Sequence, residues 1–209
     1  MLSNNRVEAV VRRYIMPPRI VCRVLCVTLL LLATSDAFAG EGDRNGIQSF
    51  GLRLAYGVGS RDNLSFFSVV PRLSMYLPEC IDRPLAAYHF HAEWVSEAIL
   101  SSINDRSSTV EAGLNPLFFS LRYDRGQALV PFVEGGEGLL YTDLRGERLG
   151  SRFQFSSQAG AGLHWLLDEN LAVTAAYRLR HISDAGISRQ NSGLNTDFYM
   201  IGVTYFRRP

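Results

Sequence analysis

The chain has 209 residues, a formal net charge of +1 and 47% hydrophobic residues, a size suited to one domain. The near-balance of charge argues against nucleic acid as a main partner, because phosphate binding needs a concentrated basic surface. All 21 basic residues are arginine, a bias that either bidentate phosphate contacts or genomic base composition would produce.

Arg12, Arg13, Arg19 and Arg23 precede an apolar run from Val24 to Ala33, and Ala37-Phe38-Ala39 fits a small-x-small cleavage site before Gly40. Residues 1–39 are therefore expected to be a signal segment and 40–209 the mature domain, with Met16 as an alternative start. The run is too short to span a bilayer as a helix. Cys22 and Cys26 leave with it, so Cys80 remains alone and an internal disulfide is excluded. No later segment has eighteen consecutive apolar residues. The mature chain is thus either soluble and exported or a membrane barrel, whose hydropathy signal is weak.

Strand alternation, with side chains pointing to opposite faces in turn, recurs eight times. The first strand sets Phe50, Leu52, Leu54 and Tyr56 against Gly51, Arg53 and Ala55. The second sets Phe67 to Leu77 against Ser68, Arg72, Ser74 and Tyr76. The third sets Tyr88, Phe90, Ala92 and Trp94 against His89, His91, Glu93 and Glu97. The fourth spans about Thr109 to Tyr123 and changes parity near Asn115-Pro116, where a bulge is expected. The fifth spans about Leu129 to Thr142, with a second irregularity expected at Gly135-Gly136. The sixth, Arg152 to Trp165, is the cleanest. The seventh is Ala172 to Ser183 and the eighth Asn195 to Phe206. The loop from Pro78 to Ala87 is longer than an up-and-down pattern predicts.

Most of these strands reach ten residues or more, where soluble strands run nearer five or six and membrane-spanning ones nine to eleven. The even count and the aromatics near strand ends (Tyr56, Phe67, Trp94, Tyr123, Phe153, Trp165, Tyr205) point the same way. The expected fold is all-β: an eight-stranded antiparallel up-and-down transmembrane β-barrel. Its apolar faces meet lipid and its polar faces fill a narrow lumen.

The seventh strand ends abnormally. Its apolar face, Val173, Ala175, Tyr177 and Leu179, closes with His181 and Ser183. With both termini periplasmic, odd strands run outward, so this pair lies at the outer rim and faces lipid. Asn195, Asp197, Tyr199 and Ile201 share one parity on the eighth strand. A hairpin symmetric about an eleven-residue loop would set Ser183 against Asn195 and His181 against Asp197. Carboxylate, histidine and serine together form the constellation for nucleophilic acyl transfer. At this place the ester within reach is an acyl chain of outer-leaflet lipid.

The motif His181-Ile182-Ser183-Asp184-Ala185-Gly186-Ile187, followed by Asn191-Ser192-Gly193-Leu194, resembles the lipid A 3-O-deacylase (PagL) family, also called acyloxyacyl hydrolases. Pro131 to Tyr141 is a weaker match. The resemblance implies a barrel of the Gram-negative outer membrane that removes an ester-linked acyl chain from lipid A. It implies a Ser–His–Glu triad, no metal and no other cofactor. Carried over by motif, His181 is the general base and Ser183 the nucleophile. The family's glutamate falls at Asn195, with Asp197 on the same face as a substitute. The family asparagine assigned to the oxyanion site falls at Asp184. Asn191 matches a second asparagine and could donate instead, with backbone N–H groups near Gly186. The implied partner is lipid A or lipopolysaccharide; a homodimer is compatible with this reading.

His89, His91 and Glu93 share a face with metal-ligand chemistry, but their parity fits a lumen network with Arg178, Arg180 and His164 better. Glu134 and Glu137 read as lumen or bulge residues. Two other functions suit the pattern: a non-catalytic small outer-membrane barrel, adhesive or structural, and a lipid A acyltransferase.

Overall fold

The computed structural model describes residues 46–60, 64–104, 108–144, 149–188 and 192–207. The expected signal segment and Asn191 lie outside them. Eight strands follow in order: β1 Ile47–Gly59, β2 Ser65–Tyr76, β3 Phe90–Asn104, β4 Ser108–Tyr123, β5 Leu129–Thr142, β6 Phe153–Leu166, β7 Leu171–Ser183 and β8 Leu194–Phe206. Each pairs antiparallel with its sequence neighbour, and β8 pairs back onto β1 to close the barrel. Closure leaves no strand edge unpaired, which a bilayer requires because it offers no water to exposed backbone groups.

The long loop after β2 is a helix, α1, Glu79–Ala86. The Pro78 carbonyl accepts from the amides of Ile81 and Asp82, starting the first turn. Tyr88 and His89, expected in β3, instead form the turn that follows α1. The His89 amide donates to the Ala86 carbonyl, and His89 has a left-handed backbone with φ 64°. The strand begins only at Phe90 and runs on to Asn104.

The bulge expected at Asn115-Pro116 is present, seen as a slip between Leu114 and Leu117 against β5. Pro116 has no N–H to give to a neighbour, and its carbonyl accepts from the Trp94 indole N–H at 2.6 Å. Gly138 faces this bulge, since a Cβ there would lie 1.9 Å from Asn115 Oδ1. The second expected irregularity is absent: β5 pairs with β6 without a break through Gly135 and Gly136. Glu134 and Glu137 therefore fall on opposite faces, Glu134 buried and Glu137 exposed.

The outer wall is apolar, with Leu54, Leu114, Leu117, Val133, Leu163, Leu179, Ile201 and Val203 among its exposed side chains. Phe90, Trp94, Trp165 and Tyr205 are exposed near the end that holds the termini. Tyr56, Phe67, Tyr141 and Phe153 are exposed near the other end, which gives two aromatic girdles.

The lumen has two layers. At mid-height Glu134 pairs with Arg53 Nη1 (2.8 Å), Arg72 Nη1 (2.7 Å) and Arg178, while Glu97 pairs with Arg178 and accepts from Asn115 (2.9 Å). Arg180 and Glu111 form a further pair at 2.6 Å. Above this network, toward the outer end, the lumen is apolar. Phe66, Ile99, Ile103, Leu140, Ile182, Leu194 and Phe198 are packed into a plug. Arg180 lies over the rings of Phe66 and Phe198, joining the two layers.

Candidate active site

The plug fixes which way the β7–β8 hairpin faces. Ile182 and Leu194 are cross-strand partners and both are buried, at 0% and 4% exposure. Alternation then sends their neighbours His181 and Asn195 to the lipid side, where both are exposed. Turning them inward would bring two large apolar side chains out of the plug.

The register differs from the symmetric hairpin expected above. His181 pairs with Asn195, and Leu179 with Asp197. The last cross-strand pair is Ile182–Leu194, so the loop between partners begins one residue earlier than expected, at Ser183, and each partner shifts by two. His181 Nδ1 lies 2.6 Å from Asn195 Oδ1. Asp197 sits two residues deeper on the same face and accepts a hydrogen bond from the Tyr177 hydroxyl, deeper still. Its carboxylate is thus drawn away from His181. Of the two residues considered for the third position, Asn195 is the one at the imidazole.

The other edge of the ring leans on Gly193. A Cβ there would lie 2.6 Å from His181 Cε1 and 3.0 Å from Nε2. Gly193 also has φ +67°, a conformation in which glycine is unstrained. Position 193 is one rung beyond the Ile182–Leu194 pair, level with Ser183. With Nδ1 held by Asn195, Nε2 is the ring nitrogen on the Gly193 side. Ser183 is half-buried, and its partner on β6 is the exposed Phe155. Its hydroxyl makes no hydrogen bond among the described residues. Such contacts are often long before substrate binds.

Asp184 does not have the environment expected of an oxyanion donor. It is buried, and its oxygens accept from the amides of Gly186 (3.0 Å) and Ser188 (3.1 Å). A carboxylate so placed organises the loop through an Asx turn. The same contact occupies the Gly186 N–H. Ala185 and Gly186, both at positive φ, complete the turn.

The remaining histidines are elsewhere. His164 is buried, with Nδ1 2.8 Å from Thr174 Oγ1 and its ring stacked on Phe132. His91 Nδ1 lies 3.9 Å from Asp82 of α1, and His89 is exposed in its turn. No group of three metal-ligating side chains occurs among the described residues.

A site missed by parity reasoning adjoins His181. Ser157 is its direct partner on β6, and Glu137 is the partner of Ser157 on β5. Both face lipid, and Ser157 Oγ donates to Glu137 Oε2 at 2.8 Å. A continuous polar row, Glu137–Ser157–His181–Asn195, therefore crosses four strands of a mostly apolar wall. An unbroken count along β5 would have revealed it.

A closed barrel with an apolar outer wall, two aromatic girdles and a filled lumen defines an integral protein of the outer membrane. A family model described as lipid A 3-O-deacylase (PagL) matches residues 72–204. The chain belongs to that family. The crystal structure of the outer membrane enzyme PagL superposes with a TM-score of 0.58 at 18% identity, covering 73% of this chain and 97% of that one. Neisserial surface protein A (NspA) gives a TM-score of 0.52 at 14% identity, covering 77% and 96%. At these identities the likeness is one of fold. No curated protein matches the sequence.

Proposed function

We propose that the protein is a serine esterase that hydrolyses the 3-O-linked acyl chain of lipid A in the outer leaflet. The observation that carries this reading is the His181 Nδ1···Asn195 Oδ1 contact of 2.6 Å, made on the lipid-facing wall of a barrel of this family.

In the proposed cycle Asn195 Oδ1 accepts the Nδ1–H of His181, which leaves Nε2 unprotonated as the base. Ser183 Oγ attacks the acyl carbonyl carbon and passes its proton to Nε2. The tetrahedral intermediate collapses, the sugar oxygen leaves, and Nε2 returns the proton to it. Water then attacks the acyl-serine, again giving a proton to Nε2, which protonates Ser183 as the fatty acid departs. Asp184 holds the loop through Gly186 and Ser188, and Asn191 is assigned the oxyanion donor. Neither a metal nor another cofactor takes part.

The test is mass spectrometry of lipid A from cells expressing the wild type or Ser183→Ala. Loss of one hydroxyacyl chain with wild type alone is expected; an intact acylation pattern with wild type would sink the reading. The neutral Asn195 in place of a carboxylate favours one alternative, a non-catalytic small barrel. That alternative expects Ser183→Ala and His181→Ala to be indistinguishable from wild type.

A further inference from the structure

Polar side chains on the lipid-facing wall of a barrel are costly and therefore uncommon without a task. Glu137 and Ser157 form such a pair, in register with His181 and bonded to each other. Among the described residues they leave acceptor capacity unused. A carboxyl group offers about four lone-pair sites, and the Ser157 hydroxyl occupies one. The others face the hydrocarbon, which contains few donors.

Depth narrows the choice of donor. Asn195 is one residue from the outer end of β8 and His181 two from that of β7. Ser157 is four from the outer end of β6 and Glu137 five from that of β5. The Glu137–Ser157 pair thus lies farther from the sugar side of the leaflet than the His–Asn pair. A donor at that depth is carried on the acyl chain, not on the headgroup. Neighbouring strands are about 4.8 Å apart, so Ser157 is one spacing from His181 and Glu137 two. A hydroxyl on the third carbon of an acyl chain stays close to its ester carbonyl, and the side chains of Ser157 and Glu137 span the remaining gap from the deeper side of the hairpin.

We propose that Glu137 and Ser157 form a subsite that accepts a hydrogen bond from the hydroxyl of a 3-hydroxyacyl chain and so positions its ester at His181 and Ser183. The proposal rests on the deacylase reading for the identity of the ester. Glu137 and Ser157 act here as specificity and positioning residues, with no part in bond breaking.

The experiment uses the full-length barrel folded in detergent micelles and two synthetic N-acylglucosamine probes, one bearing a 3-hydroxymyristoyl ester at the 3-position and the other a myristoyl ester. Binding is measured to the Ser183→Ala barrel and hydrolysis with Ser183 in place. One hydrogen bond predicts about a three- to tenfold preference for the hydroxylated probe in both measurements. Glu137→Leu and Ser157→Ala should bring that preference toward one, mainly through KM. Glu137→Gln, which keeps an acceptor oxygen, should retain part of it. Glu137→Leu puts an apolar residue against lipid, and heat-modifiable electrophoretic mobility verifies that the barrel folds. An unaltered preference in folded Glu137→Leu and Ser157→Ala overturns the subsite. A binding preference without hydrolysis of either probe keeps the subsite and removes the deacylase reading.

Discussion

His181 and Asn195 are direct cross-strand partners, and their side chains meet at 2.6 Å on the lipid face of the β7–β8 hairpin. An amide oxygen can orient an imidazole but cannot offset the charge that the ring acquires as it takes a proton. Asn195→Glu should therefore raise kcat/KM. A hydrogen bond to a charged group is stronger than a neutral one by about 1–1.5 kcal/mol, which corresponds to about a tenfold gain. Release of fatty acid from purified lipopolysaccharide measures it. No gain in a folded Asn195→Glu barrel would count against Asn195 as the orienting residue.

Asp197 supplies the contrast. Its carboxylate is bonded to Tyr177, two residue pairs deeper, so Asp197→Ala should alter turnover by less than about twofold while Asn195→Ala lowers it about tenfold. Equal losses in the two variants would show that the aspartate swings up to the histidine during the reaction.

Gly193→Ala isolates the packing of the imidazole. The new methyl would sit 2.6 Å from His181 Cε1, whereas a Cβ at Gly186, also at positive φ, meets nothing within 4 Å. Both substitutions carry the left-handed penalty of about 1 kcal/mol, but only the first displaces the ring. Turnover should fall about tenfold or more with Gly193→Ala and clearly less with Gly186→Ala. Each variant should still show the heat-modifiable mobility of a folded barrel.

Alternation made the barrel, its eight strands and the facing of His181 legible, because a one-residue error moves every side chain to the wrong face. The pairing of His181 was beyond that signal, since a shift of two residues keeps all faces unchanged. It was decided by Ile182 and Leu194, which complete the lumen plug as partners. Glu137 was misplaced for a related reason. An irregularity expected at Gly135-Gly136 would have put it on the face of Glu134, yet the strand runs through those glycines intact. The helix Glu79–Ala86 left little trace, being two turns long with Pro84 inside it and no buried residue to mark an apolar stripe.

Glu134 is the centre of the lumen network, bonded to Arg53, Arg72 and Arg178. Glu97 holds Arg178 closely but lies 3.9 Å from Arg72. Removing the charge of one buried partner leaves the others uncompensated, at a cost of about 3–5 kcal/mol. Glu134→Gln should therefore lower the urea midpoint of the folded barrel more than Glu97→Gln, because it takes the close carboxylate from both Arg53 and Arg72, whereas in Glu97→Gln Arg178 keeps its pair with Glu134. The plug of Phe66, Ile99, Ile182, Leu194 and Phe198 separates this network from the outer rim. Activity per folded molecule should consequently stay near that of wild type in Glu134→Gln, while stability falls. Equal midpoints for the two variants would mean that water enters the lumen and screens the network, and a loss of turnover in folded Glu134→Gln would mean that the plug transmits the disturbance to His181.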